Sequence, residues 1–123
     1  METICAFTIE GLPPSANHTY APGHGCVYKK PEAKKWTRKA VDTIKKQCGV
    51  IEHNEHIVTV MLRFYTKNKR RMDIDNRVKI LQDCLMEAGV IKDDSQVWDL
   101  AVRRILTPGE PEMTRVIVST YES

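Results

Sequence analysis

The sequence predicts an α+β fold of two layers, a mixed β-sheet of about four strands carrying two main helices, in the order β-α-β-α-β-β. Three observations lead there. Apolar residues alternate over Ile57 to Tyr65, as in a strand with one better-buried face. They recur at helical steps over Ile74, Val78, Leu81, Leu85 and Ala88. The chain then ends in two β-like runs, Val97 to Leu106 and Met113 to Tyr121, with no helical pattern between them.

Each element follows from local chemistry. Cys5-Ala6-Phe7-Thr8-Ile9 is a β-rich run stopped at Gly11-Leu12-Pro13-Pro14, where prolines lack N-H donors. From Ser15 to Pro31 the chain is rich in Gly, Pro, Asn and His without an apolar period, which predicts a long loop. Glu32 to Cys48 reads as a helix on Ala33, Trp36, Ala40, Val41, Ile44 and Cys48, with Pro31 in the first turn and Gly49 as the stop. The Ile57 strand leads into a basic run, the second helix is expected over residues 75–88, and Gly89 suits a left-handed cap. Thr107-Pro108-Gly109-Glu110-Pro111 suits a hairpin connector between the last two strands.

At 123 residues, with 41% hydrophobic and 28% charged residues, the chain fits one globular domain, residues 1–123. No apolar run approaches the roughly 20 residues of a membrane helix, and the first ten residues do not resemble a signal peptide, so a cytoplasmic protein is expected. The 4 cysteines, Cys5, Cys26, Cys48 and Cys84, form no C-x-x-C pair and read as reduced thiols. His18, His24, His53 and His56 have no cysteine pair at zinc-ligand spacing. Net charge is only +3, but it is segregated. Lysines and arginines crowd Lys29 to Lys46 (among them Lys29, Lys30, Lys34 and Lys35), whereas Glu87 to Asp99 is acidic. A positive surface of this kind attracts polyanions, although a solvated helix face explains the same run.

The chemistry concentrates in Lys69-Arg70-Arg71-Met72-Asp73-Ile74-Asp75-Asn76-Arg77-Val78-Lys79. Carboxylate oxygens suit Mg²⁺, which takes one or two protein carboxylates and lets phosphate and water complete its shell. Taken singly, Asp73 reads equally well as a helix N-cap and Asp75 as an i, i+4 partner of Lys79. The three cations ahead of a helix N-terminus weaken those readings, because positive charge is disfavoured there and a bound phosphate would compensate it. Asp93-Asp94-Ser95 offers a second carboxylate pair, which alone is an ordinary turn. Trp36 falls on the first helix's apolar stripe, Tyr20 and Tyr28 lie in the long loop where unstacked bases could meet them, and Asp83 and Asp99 read as surface residues.

These residues carry a resemblance. Leu12-Pro13-Pro14-Ser15 with Asn17, Pro31-Glu32-Ala33-Lys34 to Trp36, Arg71-Met72-Asp73-Ile74-Asp75-Asn76 followed by Lys79, and Ala88-Gly89-Val90-Ile91-Lys92-Asp93-Asp94-Ser95-Gln96-Val97 together resemble the RusA-type Holliday junction resolvases over nearly the whole chain. The resemblance implies a dimeric, metal-dependent endodeoxyribonuclease of bacteria or their phages, using Mg²⁺ with Mn²⁺ as a substitute, that cuts symmetrically placed phosphodiesters at a four-way junction. It implies Asp73, Asp75, Asp94 and Lys79 as catalytic, the three aspartates being the metal ligands. The loop from Tyr20 to Tyr28 departs from the pattern in carrying few arginines.

Lys67, Lys69, Arg70 and Arg71 and the first-helix lysines are expected to hold DNA arms through phosphate contacts. A helix over residues 75–88 is about 20 Å long, which sets Asp94 at the far end from Asp73 and Asp75 and suggests a site shared across a two-fold axis. The expected chemistry is phosphodiester hydrolysis, with one or two metal ions polarising the phosphate and activating water while Lys79 adds positive charge. Two other classes fit the basic surface less fully: a non-catalytic DNA-binding module and a nuclease for other branched phage DNA. A small-nucleotide phosphohydrolase would need a phosphate-cradling glycine loop, and none is present.

Overall fold

The computed structural model describes residues 2–15, 20–22, 27–29 and 31–122, with 20–22 and 27–29 as backbone only. Alternating apolar residues generate four long strands: β1 (Thr3–Glu10), β4 (Val58–Thr66), β5 (Val97–Leu106) and β6 (Met113–Thr120). They form one mixed sheet in the order β1-β6-β4-β5. β6 runs antiparallel to β1 and β4, and β5 parallel to β4. Helices α1 (Pro31–Cys48) and α2 (Val78–Glu87) supply the second layer.

Burial explains the order. On β4 every second residue, Val58, Val60, Leu62 and Phe64, is at most 1% exposed, as are Val116 and Val118 on β6. These two strands take the centre, where both flanks are paired and the helices cover one face. β5 faces the same core with Leu100 and Leu106, each 41% exposed, and therefore sits at the edge. α1 buries Ala33, Thr37, Ala40, Val41 and Ile44, and its Gln47 side chain exchanges bonds of 2.9 and 2.8 Å with the Thr8 backbone. That contact occupies part of the other sheet edge, which would otherwise offer unpaired backbone groups.

Three expectations change. The last two strands do not form a hairpin, because β4 lies between them. Their connector crosses the end of β4: Thr107 N-H donates to the Thr66 carbonyl at 2.8 Å, and the Glu112 carbonyl accepts from Gly11 N-H at 2.9 Å. Sequence proximity favoured pairing, but the more apolar β4 fills the central slot. Second, the stretch expected as a loop from Ser15 to Pro31 contains two short antiparallel strands, β2 (Tyr20–Pro22) and β3 (Val27–Lys29). Third, the second helix is shorter than residues 75–88. It opens as a 3-10 turn at Asp75–Arg77, and α2 proper is 10 residues, about 15 Å at 1.5 Å per residue.

Gly49 and Gly89 stop the helices as expected, with φ of 68° and 81°, the left-handed region that a Cβ disfavours. Trp36 is half-buried against the core, as its stripe predicts, whereas Trp98 is exposed and tilts against Tyr121 at 5.6 Å. Asp99 is exposed and Asp83 half-buried. Cys5, Cys48 and Cys84 form no disulfide among the described residues. Burial and the adjacent Cys48 push the Cys5 thiol far above its ordinary range. Among the described residues no helix is long and apolar enough to cross a membrane.

Candidate active site

β1, β4 and β5 point the same way, so the sheet has two chemically different ends. One end gathers the loop after β1, the basic run after β4 and the connector after β5. Asp73 and Asp75 lie there, and both are exposed. Asn76 holds them: its side-chain amide donates to Asp73 Oδ2 at 3.3 Å, and its backbone N-H donates to Asp75 Oδ1 at 3.1 Å. Asp73 is not a helix cap. The capping position of the 3-10 turn belongs to Ile74, and no side chain caps it. The capping explanation for this carboxylate therefore falls away. Lys79 is exposed on the first turn of α2.

The basic run is fixed by two residues from the last two strands' neighbourhood. Glu112 accepts from the Arg70 guanidinium at 2.9 Å and from Lys67 N-H at 3.3 Å. Arg104 donates to Thr66 Oγ1 at 3.0 Å and to the Asn68 carbonyl at 2.8 Å. The fold itself thus neutralises one of the three cations that precede the turn, while Lys67, Lys69 and Arg71 stay exposed at the surface. Burial pushes the Glu112 carboxyl up. The hydrogen bonds from Arg70 and Lys67, with the attraction of both cations, outweigh it and hold the group below the usual carboxylate range.

A depressed carboxyl pKa contributes stability that is present above the ordinary value near 4.5 and is lost as pH falls through the folded value. Glu112→Gln should therefore be less stable than the parent at pH 7, with the gap closing between about pH 4.5 and pH 2. Urea unfolding at both ends of that window checks it; a gap independent of pH would refute the assignment.

No local pattern separates Arg77 from its basic neighbours. Its guanidinium donates to the Pro13 carbonyl, and its Nε is buried with no hydrogen-bond partner among the described residues. Burial first, then repulsion from Arg70 and Arg104, lowers its pKa against the opposing pull of Glu112. Arg77 ties the Leu12-Pro13-Pro14 segment to the turn that carries Asp75. Glu112 and Arg104 also escaped the sequence reading, because their partners lie some forty positions away and leave no local pattern.

Asp94 stands at the opposite end of the sheet. It opens a 3-10 turn, Asp94–Gln96, whose cap is Asp93: the Asp93 side chain accepts from Ser95 N-H at 3.1 Å. Hydrogen bonds from Ser95 hold the Asp93 carboxyl below its usual range. Asp93 is thus used structurally, and Asp94 is left exposed. Gln96 fixes the turn with all four bonds its amide can make. Its oxygen accepts from Lys92 N-H at 2.7 Å and Asp93 N-H at 2.9 Å, and its nitrogen donates to the Asn54 and His56 carbonyls at 2.8 and 2.9 Å.

Since Val97 pairs with Val58 and Leu106 with Thr66, the full length of β4 separates Asp94 from the Asp73/Asp75 end, about 27 Å at roughly 3.3 Å per residue. Among the described residues no three His, Cys, Asp or Glu side chains come together as a metal site. Two exposed carboxylates a residue apart are oxygen donors of the kind that suits a hard divalent cation.

Of the other residues expected at DNA, Lys34 and Lys35 are exposed on α1. Lys29 and Tyr28 lie in β3 and Tyr20 in β2, where only backbone is described. Lys30, Asn17, His18, His24 and Cys26 lie outside the described residues.

The chain matches the family model described as endodeoxyribonuclease RusA over residues 10–119. It is 28% identical, over 110 residues, to the crossover junction endodeoxyribonuclease RusA of Aquifex aeolicus (strain VF5), a match covering 89% of this chain and 86% of that protein. The matched span runs from the end of β1 through β6 and includes both carboxylate groups, so the chain belongs to the RusA family of endodeoxyribonucleases.

Proposed function

We propose that this protein is a divalent-metal-dependent endonuclease that resolves four-way DNA junctions by paired, symmetric phosphodiester hydrolysis, acting as a homodimer of single-domain subunits in a bacterial cytoplasm, for its host or for a phage. The observation that carries the reading is the placement of the exposed Asp73/Asp75 pair beside an exposed basic loop, with Asp94 held at the other end of the sheet. A two-fold partner running in the opposite sense would bring its Asp94 to the pair. Two such composite sites, related by the same axis, match a substrate whose cleavable strands are themselves symmetric.

Asp73, Asp75 and the partner chain's copy of residue 94 would hold Mg²⁺, for which Mn²⁺ substitutes. When bound, the ion supplies Lewis-acid polarisation of the phosphate and a water acidic enough to attack it. The chain's own groups do the rest. Asn76 orients the two carboxylates, bonding one oxygen of each. Lys79 adds positive charge where it builds up on the reacting phosphoryl group. Lys67, Lys69 and Arg71 grip the backbone near the cut, and Lys29, Lys30, Lys34 and Lys35 extend the grip along an arm, fixing position without reading bases. Gln96 sets the height at which Asp94 is presented.

The test is incubation of end-labelled four-way junction, Y-fork and linear duplex with Mg²⁺ or with EDTA. Paired nicks in the junction alone, dependent on Mg²⁺, are the expected result. Equal cutting of the fork would make it a broader branched-DNA nuclease. Junction binding without cutting under any divalent metal would make it a binding module.

A further inference from the structure

The register of the sheet sets three arginines side by side. Arg63 on β4 is directly opposite Arg103 on β5 and directly opposite Arg115 on β6. The row ends at Thr8 on β1, which is the register partner of Arg115. All of these lie on the face turned away from the buried side chains of β4, hence away from the helices. Arg103 is exposed, and Arg63 and Arg115 are half-buried.

Directly opposed side chains have Cβ atoms about 5 Å apart, and like charges in that arrangement destabilise a sheet. Among the described residues no acidic side chain pairs with any of the three. Arg115 donates to Thr8 Oγ1 at 3.3 Å and Arg63 to Met61 Sδ at 3.5 Å, both neutral acceptors. Glu10, one row away, faces Lys39 at 3.5 Å instead.

We propose that this arginine row is a binding track for the phosphate backbone of a duplex DNA arm, an extension of the DNA-cleaving reading above on which it rests. Guanidinium forks grip phosphate oxygens in pairs, so three in a row suit a polyanion better than a single small anion. The track is continuous with the basic loop: Arg63 is four residues before Lys67, about 13 Å along an extended strand. A duplex laid along β4 would meet the row, then Lys67 to Arg71, then Asp73 and Asp75.

Triple substitution Arg63→Gln, Arg103→Gln, Arg115→Gln, with junction binding followed by fluorescence anisotropy in EDTA from 50 to 200 mM salt, tests the assignment. Each lost phosphate contact lowers the slope of log affinity against log salt by about 0.9, so a decrease of about 2 to 3 is expected, with at least roughly tenfold weaker binding at 100 mM salt. The melting temperature should stay level or rise as repulsion is relieved. If the triple variant does not fold, the exposed Arg103→Gln alone should lower the slope by about 0.9. Unchanged slope and affinity, in a protein whose parent binds and cuts the junction, would overturn the track while sparing the nuclease reading. A changed oligomeric state with an unchanged slope would make the face a protein interface and also overturn it. Failure of the parent to bind DNA would sink both.

Discussion

Asp73→Asn should lower junction cleavage by about a thousandfold or more, near 4 kcal/mol of barrier, while junction affinity stays level or improves. The substitution keeps the shape of the side chain and removes the charge a divalent cation needs. Its structural cost is small, because Asp73 is exposed, caps no helix and accepts a single 3.3 Å bond from Asn76. A surface change of that kind usually alters stability by no more than about 0.5 kcal/mol. Removing negative charge beside bound phosphates accounts for the retained or tighter binding. Asp75→Asn should behave alike. Cleavage within tenfold of the parent, or loss of binding with the melting temperature intact, would count against a metal role for the pair.

A mixed dimer tests where the site is completed. Asp73→Asn and Asp94→Asn homodimers are each expected to be inactive. If Asp94 acts across the two-fold axis, a heterodimer of the two keeps one intact site, built from the Asp94→Asn chain's Asp73 and the other chain's Asp94. Random mixing should then restore about a quarter of the parent nicking, one strand at a time, because half the dimers are mixed and each has one of two sites. If each chain completes its own site, mixing restores nothing. The geometry favours the first outcome: β5 runs parallel to β4 and starts level with Val58, which leaves Asp94 a full strand length from Asp73. No side-chain movement covers that distance.

How much of this was readable in advance depended on how local the cause was. The long helices, their glycine stops and the alternation on β4 come from patterns within a few residues, and their bounds moved only slightly between expectation and structure. The hairpin expected after β5 failed because it required a choice between two partners for β6. That choice was settled by the depth at which Val60, Leu62 and Phe64 are buried, a property of the assembled core. The two short strands within residues 20–29 were missed because three-residue strands are too short to show a period.

The candidate site divides in the same way. The sequence by itself determined the types of group on offer: D-x-D-N with a lysine four residues on, and some twenty residues later an aspartate pair, supply oxygen donors beside cations. It could not decide which of Asp93 and Asp94 is free. Tertiary structure decided that, because the capping box of Asp93 with Gln96 consumes one carboxylate and exposes the other. It also decided that Glu112 and Arg104 would brace the basic loop, that Arg63, Arg103 and Arg115 would stand in a row, and that the aspartates would lie at opposite ends of one sheet. Each of these depends on strand register and direction, which pair residues forty or more positions apart through backbone hydrogen bonds and burial rather than through any neighbour in the chain.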